Sequence, residues 1–354
     1  MTARVALMSL ATATPPNILK QTDAEEIARR LFADRFEEFE RLSAVFANTG
    51  IRERHLARPL DWYFQPQGWP ERTAAYLETA EALFVEAASA ALAQANIQAS
   101  EVDTIVTVSS TGIATPSLEA RVLGRMGFRG DVERVPVFGL GCAGGVSGLH
   151  LASRLAAGRP GSTVLLVTIE LCTLAFRLDE LTTANIVATA LFADGGAACV
   201  LRSGEDEGPW RIEGGGQHTW PETLSVMGWN VDPSGFGVIF SQMIPPFVRL
   251  RMGEAMEAIL GRLGLEQSDI GRFVCHPGGA KVVQALEGAL GLDQGSLDIE
   301  REVLADFGNM SAPTVMFVLE RVLQREPPRS ANRRLFLSAL GPGFTASGLS
   351  VLAA

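Results

Sequence analysis

The sequence is poor in the residues that mark several protein classes. Of its 354 residues, 4 are histidine and 4 are cysteine, and aromatics make up 7%. The cysteines (Cys142, Cys172, Cys199 and Cys275) are far apart, with no CxxC pair and no Cys/His ligand spacing. That pattern speaks against a disulfide framework and against a metal site. No apolar run approaches the roughly 18 residues that span a bilayer, so no transmembrane segment is expected. The opening MTARVALMSL is too short in its apolar run for a secretory signal and reads as a first strand. A formal charge of −10 leaves no general basic face for nucleic acid, although a local basic patch for a phosphorylated ligand is still allowed. A cytoplasmic protein with free thiols is the simplest reading.

What is present is a long, ordinary globular composition, 47% apolar and 20% charged, with 36 glycines. At this length one hydrophobic core gives way to two domains or a duplicated architecture. Residues 5–13 read as a strand and 23–46 as one or two solvated helices. Arg52, Arg54 and Arg58 form a short basic cluster that reads as surface charge. Residues 62–70 make an aromatic, proline-bearing loop, and 73–95 a long alanine-rich helix with apolar residues at three- and four-residue spacing. The uncharged β-branched run TIVTV then predicts a buried strand over 103–108.

The second half repeats this scheme. EAASAALAQANIQASEVDTIVTVSS from Glu86 aligns without a gap on EAMEAILGRLGLEQSDIGRFVCHPG from Glu254, 168 positions later. Gly141-Cys142 with the segment after it falls on Gly308-Asn309 at an offset of 167. Two segments sharing nearly one offset indicate an internal duplication. It would place Cys142 and Asn309 at equivalent helix starts, facing one cavity.

Cys142 lies in VPVFGLGCAGGVSGLHLASRL (residues 135–155), a glycine-rich turn between a strand-like and a helix-like segment. A helix N-terminus favours a thiolate, the reactive form, while a buried inert cysteine is the plainer alternative. His276, in CHPGG, ends a predicted buried strand, where α/β sheets bind ligands. Asn309, in DFGNMSAPT, reads by itself as a helix N-cap. Together the three make a nucleophile, a base or donor, and a neutral amide donor. Two enzyme classes use that set: a papain-like cysteine hydrolase, whose CGSCW-like signature is absent, and a thioester condensing enzyme.

Four motifs in order, GCAGG at Cys142, HPGG from His276, GNMSAPT at Asn309 and GPGF from Gly341, together resemble the chalcone synthase family. These are the type III polyketide synthases of the thiolase superfamily, and the resemblance spans nearly the whole chain. MGWNVDPSGFGVIFSQMIP (residues 227–245) resembles the bacterial branch that makes alkylpyrones and alkylresorcinols. The resemblance implies an α/β, five-layered αβαβα fold, divided into halves at 1–205 and 206–354, and a homodimer. It implies no metal or flavin, with acyl-CoA and malonyl-CoA as substrates.

By that resemblance Cys142 carries the starter acyl group and His276 holds its thiolate as an ion pair. His276 and Asn309 then stabilise the enolate formed as malonyl-CoA loses CO₂. Phe192 takes the gatekeeper position, Ser311 a cyclisation-cavity position, and Glu170 the strand-terminal acid. Thr115, Ala175 and Val238 are smaller than the usual residues, so they are expected to lengthen a tunnel beside Cys142 for a long aliphatic starter. Trp229 is expected to narrow the opposite pocket. Outside the resemblance, Arg41, Arg52, Arg54 and Lys281 are candidates for the CoA phosphates. A single-step ketoacyl synthase and a non-enzymatic acyl-binding module are the rival readings.

Overall fold

The computed structural model describes residues 3–204, 208–325 and 333–353. The first half begins with β1 (Val5–Ala13), β2 (Asn17–Lys20), α1 (Gln21–Phe32), α2 (Phe39–Asn48) and β3 (Glu53–Leu56). It continues through α3 (Trp69–Ala95), β4 (Thr104–Val108), α4 (Leu118–Met126) and β5 (Glu133–Val137). α5 (Gly144–Gly158), β6 (Thr163–Leu171), α6 (Thr183–Leu191) and β7 (Asp194–Ser203) complete it. The second half runs β8 (Trp210–Thr219), β9 (Met227–Asp232), β10 (Gly235–Phe240), α7 (Ile244–Arg262) and β11 (Arg272–Cys275). It ends with α8 (Ala280–Ala289), α9 (Asp298–Phe307), α10 (Thr314–Arg325), β12 (Arg334–Gly341) and β13 (Thr345–Ala353).

The strand order β11-β12-β13-β8-β1-β7-β6-β4-β5 carries the duplication. Outward from the β8–β1 junction each half repeats one pattern: antiparallel β13 or β7, antiparallel β12 or β6, then parallel β11 or β4. β1 and β8 are themselves antiparallel, joined over Val5–Leu7, as a twofold between the halves requires. β5 is an extra edge strand with no counterpart among the described residues.

Burial explains the layering. All nine residues of β6, TVLLVTIEL, are buried, because a sheet covered on both faces needs no polar alternation. α3 packs on the outer face of β1, β7 and β6, bringing Ala80, Ala87, Ala88 and Ala91 against the sheet. α7 packs on β8 and β13 from the opposite side, and α8 packs on α7. α5 and α10 lie between the half-sheets, where Val146, Leu149, Val315 and Val318 are fully buried. The result is the five-layered αβαβα arrangement.

Three expectations change. Residues 23–46 form two helices that are not merely solvated: Phe32, Phe39 and Phe46 close an apolar cluster with Ile186 and Ala190. The 62–70 loop is largely structured, ending in α3 at Trp69. Asn309 is not an N-cap, since α10 begins at Thr314 and Asn309 bridges to Phe192 in parallel fashion instead.

Candidate active site

Cys142 sits in the single turn 141–143 that leads into α5, so its backbone lies at a helix N-terminus. The glycines around it permit backbone approach and do not expose the sulfur. Gly141 has φ +47°, and a Cβ there would lie 2.6 Å from Pro342. At Gly145 a Cβ would come within 2.4 Å of the Ala312 carbonyl. Cys142 is consequently 8% exposed, at the base of a cavity and not in the open. Ser110, at the end of β4, shapes this turn: its Oγ accepts from the Gly139 and Gly141 amides at 3.1 and 3.2 Å.

His276 follows β11 and Asn309 follows α9, and both line with Cys142 one cavity of about 400 Å³. The His276 amide donates to Ser338 O at 2.8 Å, while both ring nitrogens are buried without a protein partner. Asn309 is held on three sides. Its backbone exchanges 2.9 Å bonds with Leu191 O and Ala193 N, and its Oδ1 accepts the Ser311 amide at 2.9 Å. That acceptance fixes the amide orientation, so Nδ2 is the free donor end, with one proton on Gly278 O at 3.3 Å and one to spare.

A second cavity of about 440 Å³ continues from Cys142 between Ser110, Thr111, Trp229 and Ser311. Trp229 narrows it, anchored by its Nε1 donating to Ser110 O at 2.8 Å and set edge-on to Phe192. Cys172, Phe192 and Val238 line this cavity and also a third, apolar chamber that is partly open to solvent. Ala175, Phe32, Leu31 and Ala188 form part of that chamber's wall, under α1.

Thr115 does not belong to these cavities. The chain leaves β4 through Ser110 and Thr111, which face Cys142, then turns outward, so Thr115 is exposed on the surface loop before α4. Arg54 is also displaced from its expected place. It is 3% exposed and donates to Thr189 O at 2.6 Å and Phe192 O at 2.9 Å, which makes it a buried brace and not a surface phosphate ligand. Arg41 is tied on the surface to Glu38 and Arg52 to Asp306. Lys281 is exposed beside Val282, which lines the Cys142 cavity.

Burial decides the resting charge of the pair. It pushes the Cys142 thiol up to about 12, offset in part by a hydrogen bond from Ser311. It pulls the His276 imidazole down to about 4. Burial by itself thus favours the neutral form of each group, and neither His276 ring nitrogen is hydrogen-bonded to the Cys142 sulfur. Burial also pushes the Glu170 carboxyl up to about 8, opposed by the Ser110 amide, whose nitrogen lies 2.9 Å from Glu170 Oε2. The chemistry available is a buried thiol, a neutral imidazole able to take its proton, and an amide donor aimed at the same space.

Sequence reasoning missed Ser110, Thr111, Cys172, Met227 and Phe240, which line the site. The serine pair at the C-terminal end of β4 was the available signal, being at a strand end where ligands bind. Among the described residues no group of three or more His, Cys, Asp or Glu could hold a metal ion, and no helix is long and apolar enough to cross a membrane.

Comparison with known proteins adds to this geometry. The family model for chalcone and stilbene synthases matches in two parts, the N-terminal domain over residues 2–205 and the C-terminal domain over 211–353. A 1,3,6,8-tetrahydroxynaphthalene synthase of Streptomyces peucetius subsp. caesius is 40% identical over 339 residues, covering 95% of this chain and 89% of the relative. Pks18 of Mycobacterium tuberculosis, described as an alpha-pyrone synthesis polyketide synthase-like protein, is 29% identical over 352 residues, covering 96% and 89%. The crystal structure of a 1,3,6,8-tetrahydroxynaphthalene synthase from Streptomyces coelicolor A3(2), a bacterial type III polyketide synthase, superposes with a TM-score of 0.92 at 27% identity, covering 98% and 99%.

Proposed function

Because the chain belongs to the chalcone and stilbene synthase family of type III polyketide synthases, acyltransferases acting on CoA thioesters, we propose a starter and a division of labour. The starter is a long-chain fatty acyl-CoA, and the product an alkylpyrone or alkylresorcinol. The observation that carries this reading is the apolar chamber reached past Phe192, Cys172 and Val238, while Trp229 fills the polar side of the cavity.

In the mechanism, Cys142 Sγ attacks the acyl-CoA carbonyl as His276 takes the thiol proton, and that proton leaves with the CoA thiol. The acyl chain, now a thioester on Cys142, lies past Phe192 in the chamber. Malonyl-CoA then places its thioester oxygen at Asn309 Nδ2 and the His276 N–H. Carbon dioxide departs, and the electron pair it leaves spreads onto that oxygen, where two preorganised donors stabilise it. The enolate carbon attacks the acyl carbonyl, expels the Cys142 sulfur, and lengthens the chain by two carbons. The product returns to Cys142 for the next round and finally cyclises. No cofactor besides the CoA substrates takes part. In this reading residues 1–205 supply the nucleophile and 206–354 the two donors.

A second reading has a specific observation behind it: the 40% identity to a tetrahydroxynaphthalene synthase favours a compact fused aromatic product. Mass spectrometry of products across acyl-CoA chain lengths separates the two. A product retaining the alkyl chain supports the first, and a naphthalene formed from malonyl-CoA alone overturns it.

We also assign the edge beside β5 to a second copy of the chain. Ile113 and Phe138 are 55% and 57% exposed there, and the groove beside them holds a buried, unpartnered Glu119 Oε2. Light scattering should give a homodimer that Phe138→Asp weakens; a wild-type monomer contradicts this. The enzyme acts in the cytoplasm, which cell fractionation tests.

A further inference from the structure

Arg54 stands outside every catalytic step, yet it touches both sides of the condensation site. It lies on β3, paired in register with Leu19 of β2, and its guanidinium enters the interior at the C-terminal end of α6. The Nη1 group donates to Thr189 O at 2.6 Å and to Phe192 O at 2.9 Å. Carbonyls at a helix end lack intrahelical partners, and a cation there also meets the negative end of the dipole.

A cap for α6 alone needs no further contact, but Arg54 has one. Its aliphatic stem packs on Gly308, the residue before Asn309: a Cβ there would lie 2.8 Å from Arg54 Cγ and 3.0 Å from Cδ. The same two segments are joined directly, Asn309 N to Leu191 O and Ala193 N to Asn309 O, each 2.9 Å. Nearby Asp194, which accepts from Ala57 N at 2.6 Å and Thr173 N at 2.8 Å, is the carboxyl that favours the Arg54 charge, with burial pushing that carboxyl up to about 7. One buried side chain thus spans the backbone of Phe192 and the turn that carries Asn309, and it lines the acyl chamber as well.

We propose that Arg54 is a positioning residue for condensation, holding the Phe192 ring and the Asn309 amide in register with Cys142. The inference rests on the polyketide synthase reading above. Loading of Cys142 uses neither Phe192 nor Asn309 as a donor, whereas decarboxylation depends on Asn309. Loss of Arg54 therefore separates the two half-reactions. A misplacement of about 1 Å in such a donor costs on the order of 10²-fold in rate.

The test measures three things on the full chain: acylation of Cys142 by acetyl-CoA, whose acyl group is too short to reach the chamber that Arg54 lines, followed by intact-protein mass spectrometry, CO₂ release from malonyl-CoA, and thermal unfolding. Wild type must do the first two; if it releases no CO₂, the underlying reading fails and not the role of Arg54. For Arg54→Ala the expected result is acetylation of Cys142 within about threefold of wild type and CO₂ release down about 10²-fold. Equal losses in both, or loss in neither, overturn the proposal. Should Arg54→Ala not fold, Arg54→Lys decides: an ammonium can reach one of the two carbonyls but not fork between them. A loss of about tenfold in CO₂ release with acylation retained supports the proposal, and parallel or unchanged rates overturn it.

Discussion

Filling the apolar chamber should shorten the starter that the enzyme accepts. Ala175 is 3% exposed and forms part of the chamber wall beside Phe176 and Tyr63. Ala175→Phe puts a ring into space that an acyl chain would otherwise occupy. Each methylene that a wild-type chain buries is worth about 0.8 kcal/mol, or about fourfold in kcat/KM. Wild type should therefore gain about fourfold per added methylene until the chamber is full. If the new ring displaces about three methylenes, the variant loses about 2.4 kcal/mol, roughly 60-fold, on long starters and nothing on acetyl-CoA. Overpacking can cost about 1–3 kcal/mol of stability, so unfolding is measured alongside. The assay is kcat/KM against chain length with product detection by mass spectrometry. An unchanged dependence on chain length in a folded variant refutes the chamber as the acyl site.

Other expectations follow from the same geometry. Asn309→Asp keeps an acceptor for the Ser311 amide but removes the Nδ2 donor; CO₂ release from malonyl-CoA should fall by about 10²–10³ while Cys142 acylation persists. Equal loss in both half-reactions would contradict the donor role. With the Cys142 thiol held above the free-thiol range, iodoacetamide inactivation of the apo-enzyme should keep rising through pH 8, and a plateau already reached at pH 6 would show the ion pair after all. Glu170 binds its proton more tightly folded, at about 8, than unfolded, near 4.5. The folded state thus carries more protons between those values, so stability falls as pH rises through that window. Glu170→Gln should remove this fall, on the order of a few kcal/mol, and denaturant unfolding at pH 5 and pH 9 checks it.

Much of this arrangement was legible in the sequence, for a physical reason. Strand β4 and the CHPGG turn after β11 are written in local pattern, and the repeat offset carries the pseudo-twofold. Cys142, His276 and Asn309 were named from short motifs, and all three line one cavity. What was illegible depends on contacts between distant segments. Arg54 sits in a charged run that looks like surface, yet its carbonyl partners Thr189 and Phe192 lie more than a hundred residues away. Thr115 is a site candidate only through the family resemblance, and the path of the loop decides that it faces outward in this chain. The resting charge of Cys142 depends on burial, which a motif does not encode.

The central claim is that one buried thiol carries a chain through repeated malonyl condensations, with the alkyl tail in the chamber under α1. The most direct measurement incubates wild-type enzyme with malonyl-CoA and a long-chain acyl-CoA, then analyses both the Cys142 peptide and the released product by mass spectrometry. The expected result is acyl and extended polyketide adducts on Cys142 and a cyclised product that keeps the starter's alkyl chain. A single β-ketoacyl product, a free fatty acid from hydrolysis, or an unmodified Cys142 would contradict it.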